Sequence, residues 1–168
     1  MKKSVGLVVL TVQGGMLRVC CQIRAGWNNE KKAPESYPGC LQVTCHGKLE
    51  EGEDFYEGLI RESNEELGVA FTAACQADIE LVEVGNVRNE KSWVITYAAQ
   101  IPSDRLALIK KENGVGFLIL RAEDVSDIVP ITPDMKEHGA PDGKMAMFQD
   151  EIDAIKSAFA KIGNCIVK

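Results

Sequence analysis

Glu62, Glu65 and Glu66 fall at i, i+3 and i+4 inside residues 47–69, a stretch with eight carboxylates in 23 residues. On a helix these three positions share one face, where like charges repel. A bound divalent cation offsets that repulsion. Mg²⁺ prefers hard oxygen ligands and commonly bridges carboxylates to substrate phosphates. A solvated acidic face is the plainer reading, and three clustered glutamates alone do not decide against it.

The element that must carry them is a helix over residues 53–67, closed by Gly68. At about 100° per residue, Tyr56, Leu59, Ile60, Ser63 and Leu67 form a core-facing stripe. The glutamates form the stripe beside it. Gly58 lies one turn before Glu62 on the same side. Glycine costs a helix interior roughly 0.5–1 kcal/mol relative to alanine, so open space above the carboxylates is expected there. Glu57 and Arg61 are spaced to pair at i, i+4.

Around this helix, residues 4–12 and 16–24 read as a β-hairpin turning at Gln13-Gly14-Gly15. Residues 25–39 read as a polar loop and 41–46 as a short strand. Residues 78–87 and 92–101 form a second hairpin, and 114–120 a further strand. A short helix over 122–128 and a loop over 129–143 follow. Residues 144–162 carry Met147, Phe148, Ile152, Ile155 and Phe159 at helical spacing and read as an amphipathic terminal helix. Mixed strands with two main helices predict an α/β sandwich with helices on both faces, built as one domain over residues 1–168.

The 168 residues carry a net charge of −6. That balance gives no global attraction for nucleic acid or anionic membrane. No run reaches the roughly 18 apolar residues of a membrane helix. The six cysteines sit largely in apolar runs without a C-x-x-C pair, which predicts small hydrophobes rather than zinc ligands or disulfides and points to a reducing, cytoplasmic setting.

The spacing then decides between the two readings of the glutamates. Gly47, five residues, Glu53, seven residues, Arg61-Glu62, two residues, Glu65-Glu66, one residue, Gly68-Val69 resembles the Nudix box, G-x5-E-x7-R-E-U-x-E-E-x-G-U, with U a bulky aliphatic residue. Every fixed polar and glycine position matches. Ser63, at the first U position, is the one departure. The flanking hairpin, strands and terminal helix also resemble the Nudix fold, an α/β/α sandwich with a mixed sheet.

The resemblance implies hydrolysis of a nucleoside diphosphate linked to another group, by water, with a divalent metal bound. Carried over residue by residue, Glu62, Glu65, Glu66 and the Gly47 carbonyl would hold the metal, with Mg²⁺ expected and Mn²⁺ acceptable. Glu53 and Arg61 would orient the glutamates. Glu62, or Glu112 in a later loop, would be the general base. Arg24 and Lys48 would meet phosphates, and Trp27 and Tyr37 would stack on a base. His46 precedes Gly47 where many members have glycine, and packing against the neighbouring strand is expected. Phe148 is expected in the core.

A nucleoside triphosphate or dinucleoside polyphosphate is the expected substrate, ahead of ADP-ribose or a nucleotide sugar. The short stretch before the box leaves little room for the dimerising N-terminal domain of many ADP-ribose hydrolases. A small-molecule substrate, no membrane and no nucleic-acid partner follow, and a homodimer stays open. The alternatives are a nucleotide-sensing module without catalysis, which tends to lose box residues kept here, and an isopentenyl diphosphate isomerase-like enzyme using Cys45. Against the latter, the expected cysteine position, directly before Gly47, is His46.

Overall fold

A computed structural model describes residues 1–110 and 116–166. Its strands are β1 (Lys2–Gln13), β2 (Met16–Ile23), β3 (Trp27–Asn28), β4 (Ala33–Pro34), β5 (Leu41–Gln42) and β6 (Cys45–Lys48), then β7 (Val82–Arg88), β8 (Ser92–Gln100), β9 (Phe117–Arg121), β10 (Val129–Pro130) and β11 (Ala146–Met147). The helices are α1 (Phe55–Glu66), α2 (Val69–Gln76), α3 (Ala122–Val125), α4 (Met135–His138) and α5 (Gln149–Ile166), with a 3₁₀ turn at Ser103–Leu108.

Seven strands form one mixed sheet. β1 runs through its centre, parallel to β8 from Lys2↔Ser92 to Leu10↔Gln100. Its other edge is shared. β2 pairs antiparallel with the second half, from Gln13↔Met16 to Val9↔Cys20, and β6 pairs with the first half, from Leu7↔Cys45 to Ser4↔Lys48. β2 continues past the fork to pair with β5. The segment 41–48 is thus wedged between two parting strands.

Both faces of the sheet are covered, so β1 is buried continuously from Val5 to Thr11 rather than at alternate positions. Alternation instead assigns each residue to a face. Val8, Leu10, Val19 and Cys21 pack with Ile152, Ile155 and Ala158 of α5. Leu7, Val9, Cys20 and Cys45 pack with Leu59 of α1, Phe71 of α2 and Leu67 between the two helices. The Cys20-Cys21 pair therefore sends one thiol into each core. Cys20, Cys21, Cys40, Cys45 and Cys75 are all free. Among the described residues, no helix is long and apolar enough to cross a membrane.

The architecture is the expected sandwich, with local differences. The strand predicted over 41–46 is broken at Val43-Thr44. The sequence reading has no helix at Val69–Gln76, because VAFTAACQ is mostly apolar with little amphipathic period, yet helix α2 forms there. Gly68, at φ +99°, breaks the chain between α1 and α2. Helix α5 starts at Gln149 rather than 144, because Met147 is spent on the β10–β11 pairing. The 129–143 segment contains β10 and α4.

Candidate active site

Thr44 holds the fork open. Where β1 and β2 part, each leaves a backbone group unpaired, and the fully buried Thr44 hydroxyl serves both. It accepts from the Val9 N–H at 2.8 Å and donates to the Cys20 carbonyl at 2.5 Å. Strand β6 follows at once and brings His46, Gly47 and Lys48 beneath α1.

Helix α1 begins with a reciprocal cap. Glu57 N donates to Asp54 Oδ1 at 2.9 Å, and Asp54 N donates to Glu57 Oε2 at 3.0 Å. Glu57 is thereby committed to the cap, and the expected Glu57–Arg61 pair does not form. Arg61 instead grips Glu53 with two hydrogen bonds, Nε to Oε1 at 2.8 Å and Nη2 to Oε2 at 3.0 Å. Its Nη2 also donates to the Lys48 carbonyl at 2.7 Å, and its Nη1 to Glu62 Oε1 at 2.9 Å. One planar guanidinium therefore ties β6, the loop and the helix together. Hydrogen bonds from Arg61 and from the Glu50 N–H hold the Glu53 carboxyl below the usual range, and its partner guanidinium is pushed up.

The Glu62 carboxylate lies directly over Gly47. A Cβ on Gly47 would fall 1.7 Å from Glu62 Cδ, so only glycine fits. Gly58 has a different reason from the one expected. A Cβ there would meet Leu49 Cγ at 3.0 Å and Glu53 Oε2 at 3.2 Å. The glycine makes room for the loop that carries Glu53, not for space above the metal-type glutamates.

Glu66 points inward, where its Oε2 accepts from the His46 N–H at 3.3 Å. Burial pushes its carboxyl up to about 7, opposed by the His46 N–H and the Cys45 thiol. The Glu65 side chain is 58% exposed and reaches Arg61 at 3.4 Å. Among the described residues, no three His, Cys, Asp or Glu side chains converge closely enough to hold a metal. Glu62 and Glu65 both face Arg61 Nη1, while Glu66 turns to the His46 N–H. The donor set still suits a hard divalent cation. Three carboxylates share one helix face, and glycine at position 47 leaves the Glu62 carboxylate a cradle that any side chain would fill.

The other expected residues divide. Arg24, just past β2, has its guanidinium carbon 5.3 Å from the Phe148 ring and 6.0 Å from that of Tyr37. Those two rings meet edge to face at 5.1 Å. Tyr37 is held at φ +59°, a left-handed conformation costly for a bulky residue. Its N–H donates to the Lys136 carbonyl at 2.7 Å, and its carbonyl accepts from Cys40 N at 3.2 Å. Phe148 is only partly buried, and it stacks beside Arg24 instead of sitting in the core stripe. Trp27 is 52% exposed on the β3–β4 ribbon. It does not line the cavity of about 190 Å³ bounded by Gln22, Arg24, Ala25, Glu35 and Gln42. The Lys48 side chain is exposed, while its carbonyl anchors Arg61. His46 is partly buried, and burial together with the nearby Arg24 lowers its pKa. Glu112 lies outside the described residues.

Sequence reasoning missed Glu151. Its residue surface is 6% exposed. Oε1 accepts from Val43 N at 3.4 Å, while Oε2 is buried without a partner, as is Arg24 Nε. Burial pushes the Glu151 carboxyl up to about 7 against the attraction of Arg24. The available signal was position. Glu151 falls three residues after Phe148 and four before Ile155, on the apolar stripe of its helix, where a carboxylate is out of place.

Cys45 is 1% exposed, and burial beside Glu66 holds its thiol well above the ordinary value. A thiol so placed is poorly suited to proton or nucleophile chemistry.

A family model described as NUDIX domain matches residues 2–138. The comparison with curated proteins gave no match. Among solved structures, a mutT/nudix family protein from Listeria innocua superposes with a TM-score of 0.63 at 17% identity, covering 99% of this chain and 96% of that one. NrtR from Shewanella oneidensis gives 0.61 at 14% identity, covering 98% and 64%. The NUDIX domain of that NrtR in complex with ADP ribose gives 0.51 at 16%, covering 95% and 87%. At these identities the likeness is one of fold.

Proposed function

The chain belongs to the NUDIX domain family, and from that premise we propose that it is a metal-dependent pyrophosphohydrolase acting on a small nucleoside diphosphate compound. The observation that carries this reading is the Arg61 hub. It binds Glu53 through both carboxylate oxygens and holds Glu62 directly above Gly47. A sensing module has no need of such a device, so hydrolysis is the better reading. The whole of residues 1–168 is read as one hydrolase domain.

Glu62, Glu65, Glu66 and the Gly47 carbonyl would hold Mg²⁺ or Mn²⁺. Such an ion, when bound, would supply polarisation of a phosphate and a lowered pKa for the attacking water. The chain's own share is positioning. Arg61 fixes the Glu62 carboxylate and the Lys48 carbonyl in one frame, and the Asp54–Glu57 cap fixes where the helix starts. Glu62 is the first candidate for general base and Glu112 the second. Lys48 and Trp27 remain candidate contacts for phosphates and base at the exposed rim.

Substrate choice is read from Arg24, Glu151, Tyr37 and Phe148. A buried carboxylate oxygen and a buried guanidinium N–H, both without partners, favour a ligand that supplies a donor and an acceptor. Guanine presents both, with N–H groups for the carboxylate and O6 and N7 for the guanidinium. A guanine compound is therefore preferred over ADP-ribose, with a guanine nucleoside triphosphate or dinucleoside polyphosphate the first to be tested.

The test is hydrolysis of a nucleotide panel with and without Mg²⁺, products resolved by chromatography. Mg²⁺-dependent cleavage with guanine compounds ahead of adenine ones is expected. In Glu151→Gln that preference should shrink by roughly 10- to 100-fold in kcat/KM, the scale of one good bidentate base contact. Tight binding without cleavage of any compound would turn the reading to a sensor.

A further inference from the structure

Ser63 stands where the box has a bulky aliphatic residue, and the fold shows what that substitution leaves behind. Ser63 is 3% exposed on the buried side of α1. It lines a cavity of about 70 Å³ between α1, α2 and the sheet. The walls are Leu7 and Val9 of β1, Leu59, Phe71, Ala99 and Ile101, and the mouth lies at Tyr56 and Gln76, both exposed.

The deepest polar atoms of this cavity are already committed. The Ser63 and Thr72 hydroxyls meet at 2.7 Å, and Thr72 Oγ1 also donates to the Gly68 carbonyl at 3.0 Å. A buried water needs two to four polar partners, and apolar cavities that lack them stay dry and take up apolar guests. We propose that this cavity is a binding site for a small neutral apolar molecule, seated against the core side of α1 and separate from the glutamate face. Its volume is about half of the ~150 Å³ that holds benzene in an engineered cavity. The guest is therefore an apolar body of a few heavy atoms. Leu59 and Ser63 touch the guest, while Glu62 and Glu66 are their neighbours on the next stripe of the same helix. Occupancy accordingly restrains the helix that carries the glutamates.

Xenon is the probe, with methyl NMR as the readout on the metal-free protein, so the outcome does not depend on the hydrolase reading. In the wild type, methyl shifts of Leu7, Leu59 and Ile101 should saturate with xenon pressure, while surface methyls such as those of Val69 change only linearly. Ser63→Ala keeps the space and should respond like the wild type or more strongly. Ser63→Leu fills the space and should lose the saturable response. Linear, surface-like shifts at the three cavity residues in both the wild type and Ser63→Ala would overturn the proposal. That pair decides the matter even if the leucine variant fails to fold. A saturable response retained in a folded Ser63→Leu would also overturn it, since the guest would then sit elsewhere.

Discussion

Arg61 shows how much one side chain can organise. It donates to Glu53, Glu62 and the Lys48 carbonyl within 3.0 Å. Lysine has the charge but not the planar fork, and it cannot serve three directions at once. Arg61→Lys should therefore keep the fold, since the core does not depend on the fork, while turnover falls by about 100-fold. That is the scale expected when a reacting group is misplaced by about 1 Å. Steady-state kinetics at saturating Mg²⁺, with circular dichroism as the fold control, check it. A rate within a few-fold of wild type would remove Arg61 from the positioning role. Glu151 teaches the complementary point. A carboxylate on an apolar stripe is visible in the sequence, but the charge of Arg24 acting on it is not.

Strand β6 reaches its place only because the β1–β2 hairpin opens. The break at Val43-Thr44 turns a plain strand into a wedge, and the Thr44 hydroxyl satisfies the two backbone groups that the opening exposes. Thr44→Val preserves shape and removes both bonds. Leaving a buried backbone group without a partner costs about 1–3 kcal/mol. The variant should lose roughly 2–6 kcal/mol of stability, read from urea unfolding. Loss of metal-dependent turnover should exceed the loss of folded protein, because β6 also carries Gly47. A Thr44→Ser variant, which retains the hydroxyl, should recover most of both. Equal stability in the valine variant would mean that the fork is held by packing alone.

The molecule stores two buried carboxyls, Glu66 and Glu151, each pushed up to about 7 from 4.5 by burial. A carboxyl raised in the folded state contributes stability that is fully present below its unfolded value and is lost as pH rises to its folded value. The metal-free protein should therefore weaken between pH 4.5 and about 7, by up to about 3 kcal/mol per group, and then level off. Asp124, lowered to about 2 by Arg121, acts in the opposite sense and loses its contribution as pH falls. Urea midpoints across this range in the presence of a chelator measure the slope. Glu151→Gln should flatten it by about half. An unchanged slope in that variant would show that Glu151 ionises as it does in the unfolded chain.

The sequence alone determined the box spacing, the helix that carries it and the layered sheet, because their signals are local: carboxylates at helical period, a glycine that closes the helix, and apolar runs bounded by turn residues. It also marked Ser63 as a departure without saying what the departure makes. Tertiary structure decided what lies far apart in the chain. Only the opened hairpin sets Gly47 under Glu62, only the packing of α5 on the sheet brings Glu151 to Val43 across 108 residues, and only the packing of α2 against α1 gives Ser63 its partner. The division follows from the physics. Periodicity and capping act within one or two turns, whereas a cleft is the space left where separate elements meet, and its shape depends on their packing together.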